Sequence, residues 1–267
     1  FLIFFFSHWV KAWFYINLPL SIHNNSIMTY CVGMKLKSGI VAMADTRITS
    51  GTETTTAKKI TVHQDEKHSL FIMTSGLRSV RDKAVTYFQE VMKETEFNKV
   101  YKAVNVFGEQ LRRVADEDKA ALEKAGLSFN LYSIVGGQCV DDEEPKLFLL
   151  YPEGNWVEIG HNSPFVIIGN SGYGKPILNR TLTYESEMTV ALKLGFLSFD
   201  STRVSANDVD FPLDVILYKT DSFKLVEHRF EKSDLATISE IWGKELQAAL
   251  SHVPENWMDV ALNKLPK

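Results

Sequence analysis

Cysteine is nearly missing from this chain: Cys31 and Cys139 are the only two in 267 residues, at no metal-ligand or redox spacing. So few thiols exclude a disulfide scaffold and suit a reducing compartment. An excess of positive charge is missing as well. Lys and Arg number 29 against 33 Asp and Glu, for a formal net charge of -4, which leaves no basic footprint for nucleic acid. The two signs are interspersed and read as solvated faces, not tails. Seven histidines form no H-x-x-x-H pair on a helix, so metal catalysis has little support. The glycine cluster Gly169-Asn170-Ser171-Gly172-Tyr173-Gly174 lacks the Lys-Ser/Thr ending of a phosphate loop.

Charge is scarce where the chain begins. Residues 1–27, FLIFFFSHWVKAWFYINLPLSIHNNSI, hold no acid and a single lysine. A membrane span wants about 20 mostly apolar residues, and this run is interrupted by Ser7, His8, Lys11 and Asn17. A secretory signal would open with a basic segment and close on a small-residue cleavage site, and neither is there. The expectation is that residues 1–27 are an extraneous upstream segment, a mis-assigned start or a propeptide, and that Met28 is the true start. A membrane-anchored form using residues 1–22 is the rival, which fractionation would expose.

What is present from Thr29 onward is ordinary globular patterning, 45% hydrophobic over the whole chain. YCVGMKL and SGIVAMAD are short apolar runs separated by a turn, and KKITVHQ and HSLFIMTS form a second pair. Four strands by about residue 75 describe an antiparallel sheet. The period then changes. Val80, Ala84, Val85, Phe88, Val91 and Met92 recur at helical spacing, as do Val100, Ala103, Val104, Phe107, Leu111 and Val114. Strands return in SFNLYSIVGG, PKLFLLYPEG and PFVIIGN. A helix ending near Asp200 follows, then a hairpin of LDVILYKTDSF and KLVEHRF, and a terminal helix LATISEIWGKELQAAL. This order predicts an α+β fold with two stacked antiparallel sheets covered by helices on the outside, in one domain over residues 28–267.

Thr29 stands directly after Met28. If that methionine is trimmed, one residue carries both a hydroxyl and a free α-amine. The amine, with a reference pKa of about 7.7 to 8.0, can take the hydroxyl proton and later return it to a leaving group. A nearby lysine would lower the amine's pKa, and an aspartate would position the lysine. Asp45, at the end of the second strand, and Lys58 or Lys59, at the start of the third, are available. Each has a plainer reading too, as a turn residue or a solvated strand edge.

TYCVGMKLKSGIVAMADTRITSG resembles the opening of proteasome-type N-terminal threonine hydrolases. Ala44-Asp45-Thr46-Arg47 matches that family's A-D-[ST]-R segment, and Lys58-Lys59-Ile60 continues the match. The similarity is greatest to the bacterial branch called Anbu, the ancestral β-subunit homologue. It extends through the Met-Thr-Tyr-Cys start, Tyr173 to Leu178, Asp200-Ser201-Thr202 and Pro212-Leu213-Asp214, so that it spans roughly residues 28 to 230.

The resemblance implies a four-layer αββα sandwich of the N-terminal nucleophile type. It implies Thr29 as nucleophile with its own amine as base, Asp45 orienting the lysine, and Lys59 as that lysine, with Lys58 still an alternative. Ser75 and Gly76 match the small-Gly pair that supplies an oxyanion donor. Thr49, two residues after Arg47, matches a position whose backbone pairs with extended substrate. Ile48, Thr74 and Arg78 match the walls of the specificity pocket. No cofactor and no metal are implied. The implied substrate is unfolded protein or peptide, with or without an ATP-dependent partner. Self-association into a ring or open spiral is implied too, in the cytoplasm and with no nucleic-acid or membrane partner.

Two departures stand out. Asn170 replaces the serine that follows the glycine of the family's Gly-Ser-Gly turn. After Asp200, expected near the site together with Ser201 or Ser205, Ser205 and Asn207 follow at a spacing the proteasome does not use. They leave two rivals open: a weakly active or inactive assembly subunit, and an amidase for a specialised isopeptide.

Overall fold

The structure, a computed structural model, describes residues 29–50 and 53–266; the expectations about residues 1–27 lie outside the described residues. Strands β1 (Tyr30–Leu36) and β2 (Gly39–Asp45) form the anticipated hairpin. They occupy the middle of a five-stranded antiparallel sheet whose order is β10-β1-β2-β11-β12, completed by β10 (Phe165–Gly169), β11 (Leu213–Lys219) and β12 (Leu225–Phe230). The second sheet runs β5-β6-β7-β8-β9 in chain order, from β5 (Ile60–Gln64) and β6 (His68–Gly76) through β7 (Leu131–Cys139) and β8 (Lys146–Leu150) to β9 (Trp156–Glu158).

Every residue of β1 and β2 is buried, because both faces of their sheet are covered. Side chains alternate across a strand. Cys31, Ala42 and Ala44 therefore point at Ile60, Phe71, Met73, Ile134 and Leu147 of the other sheet. Tyr30, Val32, Met34 and Met43 point the opposite way, into the helices α3 (Lys175–Thr181), α4 (Met188–Ser205) and α5 (Lys232–Leu250). On the far side, Leu70, Ile72 and Leu131 pack under α1 (Arg78–Glu94) and α2 (Val100–Lys124), against Phe88, Val104, Phe107 and Leu111. The layers are αββα, as the order of elements predicted. A 3-10 turn at Asn256–Met258 and the short α6 (Asp259–Leu262) follow α5. Among the described residues no helix is long and apolar enough to cross a membrane.

Three details depart from the sequence reading. A two-stranded ribbon, β3 (Arg47–Ser50) with β4 (Glu53–Thr56), stands apart from both sheets, so six strands, not four, precede residue 77. Its Thr-rich sequence favours extended backbone but has no apolar alternation to reveal it. The three-residue β9 is too short to show a strand period in the sequence. Helix α4 continues past Asp200 to Ser205.

Candidate active site

Thr29 sits one residue ahead of β1, at the end of the strand where β2 finishes, since antiparallel register sets Cys31 opposite Ala44. Asp45, the last residue of β2, therefore lies beside Tyr30 and Thr29. Its Oδ1 accepts three hydrogen bonds: from Thr29 Oγ1 at 2.6 Å, from the Tyr30 backbone N–H at 2.8 Å and from Lys59 Nζ at 2.6 Å. Lys59 immediately precedes β5 of the other sheet and also donates to the Arg47 carbonyl at 2.7 Å. Lys58 instead pairs with Glu227 at the surface. The hydroxyl, carboxylate and ammonium thus meet where the two sheets join, with Asp45 fully buried and Thr29 and Lys59 nearly so.

Burial pushes the Asp45 carboxyl above the usual carboxylate range, while the Lys59 charge and the donors from Lys59, Thr29 and Tyr30 pull against that. Asp45 Oδ2 has no hydrogen-bond partner among the described residues, so all three donors converge on one oxygen. That arrangement orients the Thr29 hydroxyl and holds a cation within one shared acceptor of it, as nucleophile activation needs.

The backbone of Thr29 is fixed from the other side by β10. The Asn170 N–H donates to the Thr29 carbonyl at 2.7 Å. Gly169 beside it has φ +84°, and a Cβ there would stand 2.1 Å from the same carbonyl oxygen; only glycine fits. The Gly-Asn pair singled out in the sequence therefore grips the Thr29 main chain. Thr74, Ser75 and Gly76 close β6 next to Lys59, whose carbonyl accepts from the Thr74 N–H at 3.3 Å. Gly76 has φ +146° and leaves no room for a Cβ, which would meet the Asn130 carbonyl at 2.0 Å.

The remaining candidates have other partners. Thr49 is paired by backbone register with Thr54 in the ribbon, and Ile48 with Thr55. Arg47 makes an ion pair with Asp210 at 3.2 Å. Arg78 pairs with Asp82 on α1. The Asp200 carboxylate is taken up by Arg203 at 2.7 Å and by Ser239 of α5 at 2.9 Å, not by Thr29, Asp45 or Lys59. Ser201 Oγ turns back onto the Leu197 carbonyl, and Ser205 is exposed. Their place on α4 explains this: Asp200 faces the neighbouring helix, where it ties α4 to α5.

Two residues next to Thr29 escaped the sequence reading as side chains, and they face opposite layers. The Cys31 thiol reaches the Thr74 carbonyl at 3.8 Å, joining the nucleophile's strand to β6, and burial pushes its pKa up to about 12. The Tyr30 phenol, also raised by burial, donates to Ser198 Oγ on α4 at 2.6 Å. Among the described residues no group of three or more His, Cys, Asp or Glu is placed to hold a metal ion.

A family model described as "Proteasome subunit" matches residues 28–203. Solved structures agree. An Anbu (Gly-1) mutant from Hyphomicrobium sp. strain MC1 is 32% identical, covering 85% of this chain and 98% of its own, with a TM-score of 0.78. Anbu (ancestral β-subunit) from Yersinia bercovieri is 30% identical over the same shares, also at 0.78. The helical assembly of the Anbu complex from Pseudomonas aeruginosa is 29% identical, again over 85% and 98%, at 0.80. A search of curated proteins found no match. By family model and by structure alike, the chain belongs to the proteasome subunit family and is similar, across most of its length, to the Anbu proteins.

Proposed function

We propose that the chain is an N-terminal threonine hydrolase that cleaves amide bonds in unfolded protein or peptide, working in a self-associated ring or open spiral in the cytoplasm. The observation that carries this reading is the convergence of Thr29 Oγ1 and Lys59 Nζ on Asp45 Oδ1, each at 2.6 Å. Once Met28 is removed, the Thr29 amine takes the hydroxyl proton as Oγ1 attacks the scissile carbonyl. The oxyanion is met by the Gly76 N–H. Collapse passes the proton to the leaving amine and leaves an ester on Thr29. A water activated by the same amine then releases the acyl group. Lys59 and Asp45 set the charge around the nucleophile, and the base is part of the nucleophile, so no cofactor is needed. Residues 1–27 have no part in this scheme, since an amide at Thr29 N has no lone pair for proton transfer. Two free, buried cysteines fit a reducing compartment, and the helical assembly of the Pseudomonas aeruginosa relative supports self-association.

The test has two steps. Intact mass of the natively expressed chain gives its first residue, expected to be Thr29. A peptide epoxyketone, which forms a ring through both the hydroxyl and the free amine, is then expected to add once to the trimmed chain and not to Thr29→Ala. A folded chain that begins at Thr29 yet takes up no probe would defeat the hydrolase reading. It would favour an assembly subunit instead, a reading that rests on asparagine at position 170.

A further inference from the structure

An apolar cleft of about 600 Å³ opens between α4 and α5. Met43 and Val215 of the first sheet floor it, Leu192 and Phe196 of α4 form one wall, and Ile238 and Trp242 of α5 form the other. Lys193 and Glu245 sit on its margin. At liquid density that volume corresponds to about 20 waters, and walls of this composition offer them almost no hydrogen bonds. Helix α5 also shows apolar side chains away from the cleft, Leu246 being 49% and Leu250 71% exposed.

The same chain carries a second uncovered apolar surface. After α5 the backbone turns, and the 3-10 turn with α6 displays Trp257 at 67% and Val260 at 72% exposure, three residues apart and so on one side, with Leu262 and Leu265 beyond. None of these tail residues lines the cleft of its own chain, whose α5 wall runs from Leu235 to Glu245. Monomers rarely expose apolar surface on this scale. The charges are complementary too: Glu255, Asp259 and Lys264 in the tail answer Lys193 and Glu245 at the cleft. The tail is a 3-10 turn followed by one helical turn, with Trp257 as an exposed aromatic, and the cleft is a groove between helices that suits an aromatic anchor.

We propose that the C-terminal segment of one copy, residues 253–265, seats in the α4–α5 cleft of a second copy, with Trp257 as its anchor. The inference rests on the self-association proposed above and names the surface that carries it.

The test is the solution mass of the full chain by sedimentation, with two kinds of variant. Trp257→Glu with Leu262→Glu disables the tail, and Ile238→Glu disables the cleft. Each alone is expected to stay monomeric where the unsubstituted chain assembles. A one-to-one mixture of the two is expected to recover a two-chain complex, because one member keeps a sound tail and the other a sound cleft. An unsubstituted chain that is monomeric at every concentration sinks self-association and this inference together. A tail variant that assembles normally, or a mixture that does not pair, overturns this inference alone and points to other helix surfaces or to the tail folding on its own chain. Should Ile238→Glu fail to fold, Ile238→Cys and Leu262→Cys chains mixed and oxidised must give the cross-linked pair; its absence has the same meaning. The native cysteines are buried and do not compete.

Discussion

At the scale of single residues, the site depends on one oxygen. Asp45→Asn keeps an acceptor at Oδ1 but leaves the Lys59 ammonium, 7% exposed, without a counter-charge. Breaking a buried pair by removing one charge costs about 3–5 kcal/mol, so a denaturant melt should show a loss of that order. Epoxyketone addition at Thr29 should slow by about 10²-fold or more as the hydroxyl loses its orienting group. The same carboxyl predicts a pH profile. Its pKa is raised by burial, so the protonated form, in which the charge pair with Lys59 is lost, accumulates as pH falls through a value above the ordinary carboxylate figure of about 3.9. Direct titration of the Asp45 carboxyl by carbon-detected NMR should therefore place its midpoint above that figure; a midpoint at or below it would contradict the burial argument. Cys31 gives an independent check. A thiol pushed up to about 12 is almost wholly un-ionised at pH 8, and the thiolate is the reactive form. An alkylating reagent should leave Cys31 unlabelled in the folded chain and label it after unfolding, which also separates threonine adducts from cysteine ones by mass.

At the scale of elements, β10 and the far end of β1 carry the predictions. Gly169→Ala would drive a Cβ to 2.1 Å from the Thr29 carbonyl at φ +84°, so the strand end must move. Probe addition should fall sharply while the far-ultraviolet spectrum stays native; unaltered addition would mean that β10 does not fix the nucleophile. At the opposite end of β1, buried Lys35 donates to Glu144 at 2.8 Å, and Tyr184, Lys146 and His161 close around the same carboxylate. Partial burial works against the Glu144 charge, but these donors outweigh it and hold its pKa down to about 2. A depressed carboxylate contributes stability that is present above its unfolded value of about 4.3 and is lost as pH falls toward the folded value. Glu144→Gln should therefore lower the melting temperature at pH 7 and shrink the drop between pH 4.3 and 2. How legible these elements were follows from how local their signals are. Thr29, Asp45 and Lys59 lie on a hairpin and the strand after it, so short motifs carried them. The Tyr30–Ser198 hydrogen bond spans 168 positions, and no spacing rule reaches that far. Asp200 was read as a site residue from a motif alone; which way a helix turns its carboxylate depends on the helix packed beside it, here α5 through Ser239.

At the scale of the whole molecule, the Asp45–Lys59 pairing is an inter-sheet contact, because Asp45 ends a strand of one sheet and Lys59 leads into a strand of the other. Within the second sheet, Gly136 makes room for side chains of its neighbouring strands that fill the layer between the sheets. A Cβ on Gly136 would lie 2.5 Å from Phe71 Cζ and 2.9 Å from Leu147, both in the apolar layer between the sheets. Overpacking of this kind costs about 1–3 kcal/mol. Gly136→Ala should lower stability by that amount and, by parting the sheets, slow probe addition at Thr29 as well. A stability loss with unchanged addition would show that the site tolerates sheet separation. The stacked layers themselves were legible in the sequence, since runs such as SGIVAMAD and HSLFIMTS are apolar on both faces, as strands covered on both sides must be.

The carbonyl of Arg47 binds Lys59 and also begins the β3–β4 ribbon. In terms of what lineages and engineers can change, this divides one small hairpin into two regimes. Beyond the register pair Ser50 and Glu53, which ends the ribbon away from Lys59, added length is thermodynamically forgiving. At the base, from Thr56 to Lys59, it is not. There one residue more or fewer would rotate the lysine off its carboxylate. A library varying ribbon length should therefore yield working variants only from insertions near the tip.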